Sequence, residues 1–389
     1  MRIDDAQRRA RLGIRHRLAA PASDPVEATR SMMALHSSDP VTVYLSVWAR
    51  VPGFVVGDLE RALYEERSLF RFYGMRRTLW VIDRGTLPLV YHSSTRELGE
   101  RDRRRSIKII EDGGVADDGA GWLEDVEPRV VALISERGEM LARELSSEIP
   151  DLAEKITFYN KAGQLAGTTG MSTRTLNQLA LESRVIRARP AGTWISGQYR
   201  WAETESWLGG PIPDMSKDEA SDRLVEAWLR VFGPAAETDI SWWTGWSLRQ
   251  LRASLDRIGA VEVEMEDGLG LAHPDDLGPV EPPPPWVALL PSLDPTAMGW
   301  KERRWYVGDD ETELFDRNGN AGPTVWADGR VIGGWSQRKS GEIVYELRED
   351  LGRETAEQVE RRAAELETWL GEFRVTPRFR SPLDKRLGG

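Results

Sequence analysis

Residues 69–82 read Leu-Phe-Arg-Phe-Tyr-Gly-Met-Arg-Arg-Thr-Leu-Trp-Val-Ile. Aromatic and β-branched residues flank a Gly-Met-Arg-Arg centre, which predicts a short β-hairpin. What precedes it is helical in pattern. Residues 5–19 fit an Arg-rich amphipathic helix ended by Pro21 and Pro25. Asp24 can cap a second helix, Val26 to Leu35, with Pro25 in its first turn. Ser38 or Asp39 can cap a third, opening at Pro40 or Val41 and ending near Val51, before Pro52-Gly53. A further helix is expected over Val56–Glu66, with Asp58 near its start. Helices followed by a short hairpin is winged-helix order.

The same order recurs twice. Residues 122–136 read as a helix, Met140–Leu145 as a short strand entering a helix, and Ser172–Glu182 as the third helix. Val185–Arg189 and Trp194–Trp201, joined through Pro-Ala-Gly-Thr, form the second expected wing. In the third copy Asp218–Phe232, Thr238–Thr244 and Ser247–Leu255 are helical, and Val261–Met265 and Leu269–Ala272 pair about Asp267-Gly268. Trp242, Trp243 and Trp246 lie on that copy's helical part, where packing in the core is the ordinary role of such a cluster. Beyond the extended run Pro282–Pro285 come a buried-strand pattern at 286–290 and a meander over Thr324–Trp326, Arg330–Trp335 and Ile343–Leu347. Residues 353–373 predict a helix with Ala356, Val359, Ala363, Leu366 and Leu370 on one face, and 374–385 a final strand and extended end. The fold class is therefore α+β: tandem winged-helix (helix-turn-helix) motifs with a C-terminal β-rich module. The expected units are 1–110, 122–215, 216–281 and 282–389, with a Gly- and Asp-rich linker or loop at 111–121.

Composition bounds the function. The 389 residues contain no cysteine, which excludes disulfides and thiolate metal sites. The four histidines, His16, His36, His92 and His273, are far apart, so no metal site is expected. No run reaches the ~18 apolar residues a membrane helix needs. The first residues carry no apolar run of the secretory type, and the expected location is cytoplasmic and nucleoid-associated. Net charge is −11, but residues 1–110 carry 20 Lys and Arg against 13 Asp and Glu, a net +7, leaving −18 on the remainder. A basic end on an acidic chain is compatible with a local phosphate-binding face and equally with solvated helices.

Several segments together resemble the AlkZ/YcaQ-like winged-helix DNA glycosylases. They are LHSSDPVTVYLSVWARVPGF (35–54), LFRFYGMRRTLWVI (69–82), FGPAAETDISWWTGWS (232–247), LLPSLDPTAMGWKERRWYV (289–307), GNAGPTVWADGRVIGGW (319–335) and FRVTPRFRSPL (373–383). Their order and spacing match along nearly the whole chain. The resemblance implies three tandem winged helices and a β-rich module around a concave, DNA-sized surface. It also implies a monomer that excises bulky N7- or N3-alkylated purines from double-stranded DNA, cross-link lesions included in some members, without metal or organic cofactor. The family's catalytic motif is Gln–apolar–Gln or Gln–apolar–Asp, and this chain has His36-Ser37-Ser38 at that place.

An N7-alkylated guanine is already cationic and leaves readily, so the protein must place a water beneath the sugar and favour an oxocarbenium-like transition state. His36 can position the water and accept its proton, Ser38 can hold it by one hydrogen bond, and Asp39 can supply negative charge. Against this, Ser-Ser-Asp-Pro before a helix is ordinary N-cap chemistry, and a histidine behind an apolar segment is ordinarily a satisfied buried one. If all three are structural, the chain is a non-catalytic DNA-binding relative, a regulator or lesion sensor. The candidate phosphate contacts are Arg76 and Arg77 at the first wing, Arg187 and Arg189 at the second, Arg303 and Arg304 after the Leu-Asp-Pro turn, and Arg338 and Lys339 on a C-terminal hairpin. The Arg101–Arg105 cluster, Arg200 and Lys301 are further candidates, and the Arg76–Arg77 pair stands out because it lies inside a family-like segment.

Overall fold

The structure, a computed structural model, describes residues 1–159 and 164–389, with mixed helix and strand throughout. The hairpin at 69–82 forms as expected. Strand β1 (Ala34–His36) precedes β2 (Leu69–Gly74) and β3 (Thr78–Asp83). β1 pairs antiparallel with β3, setting His36 opposite Trp80. The helix expected to reach Leu35 stops at Ser31, because Met33 takes a left-handed φ of 58° that a helix cannot continue through. His36 thus stands on an edge strand and not behind a helix.

Five further strands follow: β4 (Met140–Leu141), β5 (Lys155–Tyr159), β6 (Leu165–Gly170), β7 (Val185–Pro190) and β8 (Tyr199–Glu203). The order β1-β3-β2-β7-β8-β4 makes one six-stranded sheet. The hairpins expected at 69–82 and 185–201 therefore join edge to edge, where Arg71 faces Arg187 across β2 and β7. β5 and β6 form a separate hairpin that the residue pattern does not announce.

The stretch 111–121 is less of a linker than its Gly-Asp content suggests. Helices Arg96–Asp112 and Gly119–Arg137 take both its ends. A Cβ on Gly113 would sit 2.7 Å from Ile156, and one on Gly119 2.6 Å from the Ile107 carbonyl. These glycines permit close approach, which is one of the two uses of the residue.

The third hairpin, β9 (Val261–Met265) with β10 (Gly268–Ala272), closes at Glu266-Asp267, one residue earlier than expected. Above it pack helices Lys217–Phe232, Glu237–Thr244 and Leu248–Arg257. Trp243 is buried against Trp80, Trp228 and Phe232, and Trp246 is also buried, so that cluster is mainly core. The C-terminal sheet is β11 (Val287–Leu290), β12 (Thr324–Ala327), β13 (Arg330–Gln337) and β14 (Ile343–Leu347), in that order. Helix Arg353–Leu370 buries Val359, Ala363, Leu366 and Leu370, while Ala356 is exposed. No strand follows. Instead Ser381 caps a helix over Pro382–Gly388, its hydroxyl accepting from the Asp384 N–H at 3.2 Å. Among the described residues no helix is long and apolar enough to cross a membrane.

One buried ion pair ties the two ends of the chain together. Arg50 and Asp294 are both fully enclosed and meet through two 2.8 Å hydrogen bonds. The remaining guanidinium donors reach the carbonyls of His16 and Ser46 and the hydroxyl of Thr296. Asp294 also accepts from the Ser46 hydroxyl and the Thr296 N–H. Burial is the largest single effect and works to raise the Asp294 pKa, but Arg50 and the hydrogen bonds from Ser46 and Thr296 together hold the carboxyl below its ordinary value. A pair so completely hydrogen-bonded survives desolvation; half of it would not. Asp294→Asn or Arg50→Met should each lower unfolding free energy by about 3–5 kcal/mol, read from denaturant melts. A loss within the range of a surface substitution would show the pair is not the joint it looks like.

His16, hydrogen-bonded to Thr296 at 3.0 Å, lies against the same pair. Burial first, and repulsion from Arg50 second, pull its pKa down to about 3. The unfolded chain protonates this imidazole near 6.5 and the folded chain does not. The stabilisation is complete above that value and is lost as pH falls toward 3. Unfolding free energy should therefore drop between pH 7 and pH 4.5, and His16→Asn should make that slope shallower by up to one proton. An unchanged slope in the variant would remove His16 as the source.

Candidate active site

The segment His36-Ser37-Ser38-Asp39 connects strand β1 to the helix Pro40–Trp48, and each residue has a distinct environment. Ser37 is buried; its N–H donates to the Leu79 carbonyl and its hydroxyl accepts from Arg71 at 2.5 Å. Asp39 is the N-cap. One carboxylate oxygen accepts from the Val41 N–H, and the other accepts from the Arg378 N–H at 2.8 Å. Desolvation raises its pKa against those two hydrogen bonds. Asp39 thus serves the cap that the Ser-Ser-Asp-Pro run suggests, and also anchors the C-terminal segment.

His36 is half-buried, its ring edge-on to Trp80 at 4.9 Å. Its Nδ1 is enclosed without a hydrogen-bond partner. Burial, with Arg76 adding repulsion, lowers its pKa to about 3, so the ring is neutral at physiological pH. Ser38 is half-buried and lines a cavity of about 240 Å³. Arg77, Arg187, Tyr73, Tyr199 and Arg378 line the same cavity. A neighbouring cavity of about 600 Å³ shares Tyr73, Arg187, Tyr199 and Arg378 and adds Arg143 and Asn177. The two form one cleft, and among the described residues no carboxylate lines either part.

The cations identified from the sequence divide sharply. Arg76 and Arg77 form the tip of the first hairpin with φ of 57° and 59°, a strained turn that presents both side chains. Arg76 lies 4.6 Å over the Trp242 ring, and Arg77 reaches into the cleft while paired to Asp102 at 3.0 Å. Arg187 is held by Tyr73 and Asn177 at 3.0 Å and packs over Trp201. Arg189, Arg304 and Arg338 are tied to Glu65, Asp309 and Glu342 and line neither cavity, nor does exposed Lys339. Arg303 is interior: it donates to the Trp300 and Gly319 carbonyls and lies 4.1 Å over Phe315, which leaves it no route to a phosphate. Arg378, Tyr73 and Tyr199 are cleft residues that the sequence reading passed over. Arg378 was within reach, because it belongs to the 373–383 segment that carries part of the family resemblance.

Among the described residues no group of three metal-ligating side chains occurs. No curated protein gives a significant match. The family model described as DNA glycosylase AlkZ-like matches residues 29–369. Among solved structures, the Streptomyces sahachiroi DNA glycosylase AlkZ aligns with a TM-score of 0.72 at 18% identity, covering 96% of this chain and 99% of that one. At that identity the likeness is one of fold, while the family match extends over most of the sequence. The chain belongs to the AlkZ-like DNA glycosylase family.

Proposed function

We propose that the protein is a monofunctional DNA N-glycosylase that excises bulky N-alkylated purines from double-stranded DNA. In this reading it acts as a monomer, without cofactor, on tandem winged helices backed by the β-rich C-terminal module. The observation that carries the reading is Ser38 in the wall of an arginine-lined cleft that no carboxylate lines, in a chain of this family. The water oxygen bonds to C1′ as the C1′–N9 bond breaks. The bonding pair leaves with the base and neutralises its ring charge, and the water's proton passes to a base. Ser38 orients the water; His36 lines neither part of the cleft and burial lowers its pKa to about 3, so as the candidate acceptor it can take only the strongly acidic proton of a water already bonding to C1′.

One observation favours a second reading. Both Asp39 oxygens are engaged by backbone N–H groups, so this carboxylate is not free to face a cationic transition state. The alternative is a non-catalytic winged-helix DNA-binding protein that recognises lesions or regulates. Release of free base from a duplex carrying one N7-methylguanine separates the two. The glycosylase reading expects release by the wild type and a fall of about 10²-fold or more in Ser38→Ala and His36→Ala, the usual cost of losing a positioned acid–base group. Salt-sensitive binding to that duplex with no base release would leave the second reading standing.

A further inference from the structure

We propose that the cleft contains a phosphodiester clamp in which Arg187, Arg378 and the Tyr199 hydroxyl hold one backbone phosphate of the DNA above the buried Arg71. Four observations lead there. First, Arg71 and Arg187 stand directly opposite one another where β2 meets β7, a like-charge arrangement that costs stability in a sheet. Second, among the described residues neither has a carboxylate to offset it. Arg71 is 2% exposed and is satisfied only by the hydroxyls of Ser37 and Tyr64 and by the Tyr199 ring at 4.9 Å. Arg187 has the Tyr73 hydroxyl, the Asn177 amide oxygen and the rings of Tyr73 and Trp201. A guanidinium cannot shed its proton, so both charges persist.

Third, the Tyr199 hydroxyl is enclosed without a hydrogen-bond partner, and Tyr199 is 8% exposed and lines both parts of the cleft. Burial holds its phenol protonated, which makes it a donor in need of an acceptor. Fourth, Arg378 lies across the cleft with its guanidinium bonded only to the Ser38 carbonyl at 3.2 Å. Arginines and an unpaired phenol surround a space that no carboxylate lines, Asp39 being the nearby acid beside Arg378, in a chain that carries 63 acidic residues against 52 basic ones. A diester phosphate supplies both what the charges lack and what the phenol lacks. The position beside Ser38 would set the phosphate next to the sugar that reacts.

The proposal takes from the DNA-acting reading only the source of the phosphate, and its test does not depend on base release. Binding of an unmodified duplex is measured against salt concentration for the wild type, Arg187→Gln, Arg378→Gln, the double variant and Tyr199→Phe. Each arginine variant should reduce the slope of log K against log salt by about 1, and the double variant by about 2. Tyr199→Phe should weaken binding several-fold with the slope unchanged. Arg353→Gln, an exposed cation on a distant helix, should change neither. Wild-type slope and affinity in both single arginine variants would overturn the clamp and leave the glycosylase reading intact. The expected slopes without base release from a lesion would sink the glycosylase reading alone. A wild type that ignores the duplex is examined by ³¹P NMR with inorganic phosphate. Line broadening that Arg187→Gln and Arg378→Gln abolish keeps the anion site with free phosphate as its source, and no broadening overturns it.

Discussion

The enclosed Arg50–Asp294 pair is the constraint through which the parts of this protein acquire fixed positions. Arg50 follows the helix that opens at Pro40, and Asp294 caps a turn of the segment leading from β11. Two charges taken wholly out of water are tolerated only when each donor meets an acceptor, so the surrounding groups have one arrangement and not several. Ser46, Thr296 and His16 complete that arrangement. The start of the same helix then carries Asp39, whose second oxygen fixes the backbone at Arg378. Burial at one end of a single helix thereby sets the geometry of the cleft at its other end.

The parts of the fold that the sequence discloses are those governed by local physics. Proline at the first helical turn, Asp or Ser before it, and β-branched runs around a turn are short-range signals. They locate the helices at 40–48 and 217–232 and the hairpins β2–β3 and β9–β10. What they do not disclose is long-range. Nothing near Leu69 states that β2 will pair with β7 and merge two hairpins into one sheet. Nor does the local pattern announce the left-handed Met33, after which Ala34–His36 pair with β3 where a helix was expected.

The site was legible in the same uneven way. Asp39 as a cap, and Arg77 and Arg187 as cations on the two hairpins, follow from position along the chain. Arg303 does not: its environment depends on Gly319 and Phe315, brought beside it by a loop with no periodic signal. Tyr199 and Arg378 become neighbours of Ser38 only through tertiary packing. Net charge misleads for a related reason. A total of −11 describes the whole surface, while recognition depends on which few side chains face one cleft.

The Asp39–Arg378 contact has a consequence for the order in which the protein becomes functional. The strand and helix that carry Ser38 are among the first elements to be synthesised, yet the wall opposite comes from a residue about 340 positions later. A chain still emerging from the ribosome can supply every other lining residue of the cleft, which lie between Ser37 and Trp201, but not Arg378. Only when the far end has packed does the cleft gain Arg378, and Asp39 the second of its two backbone donors.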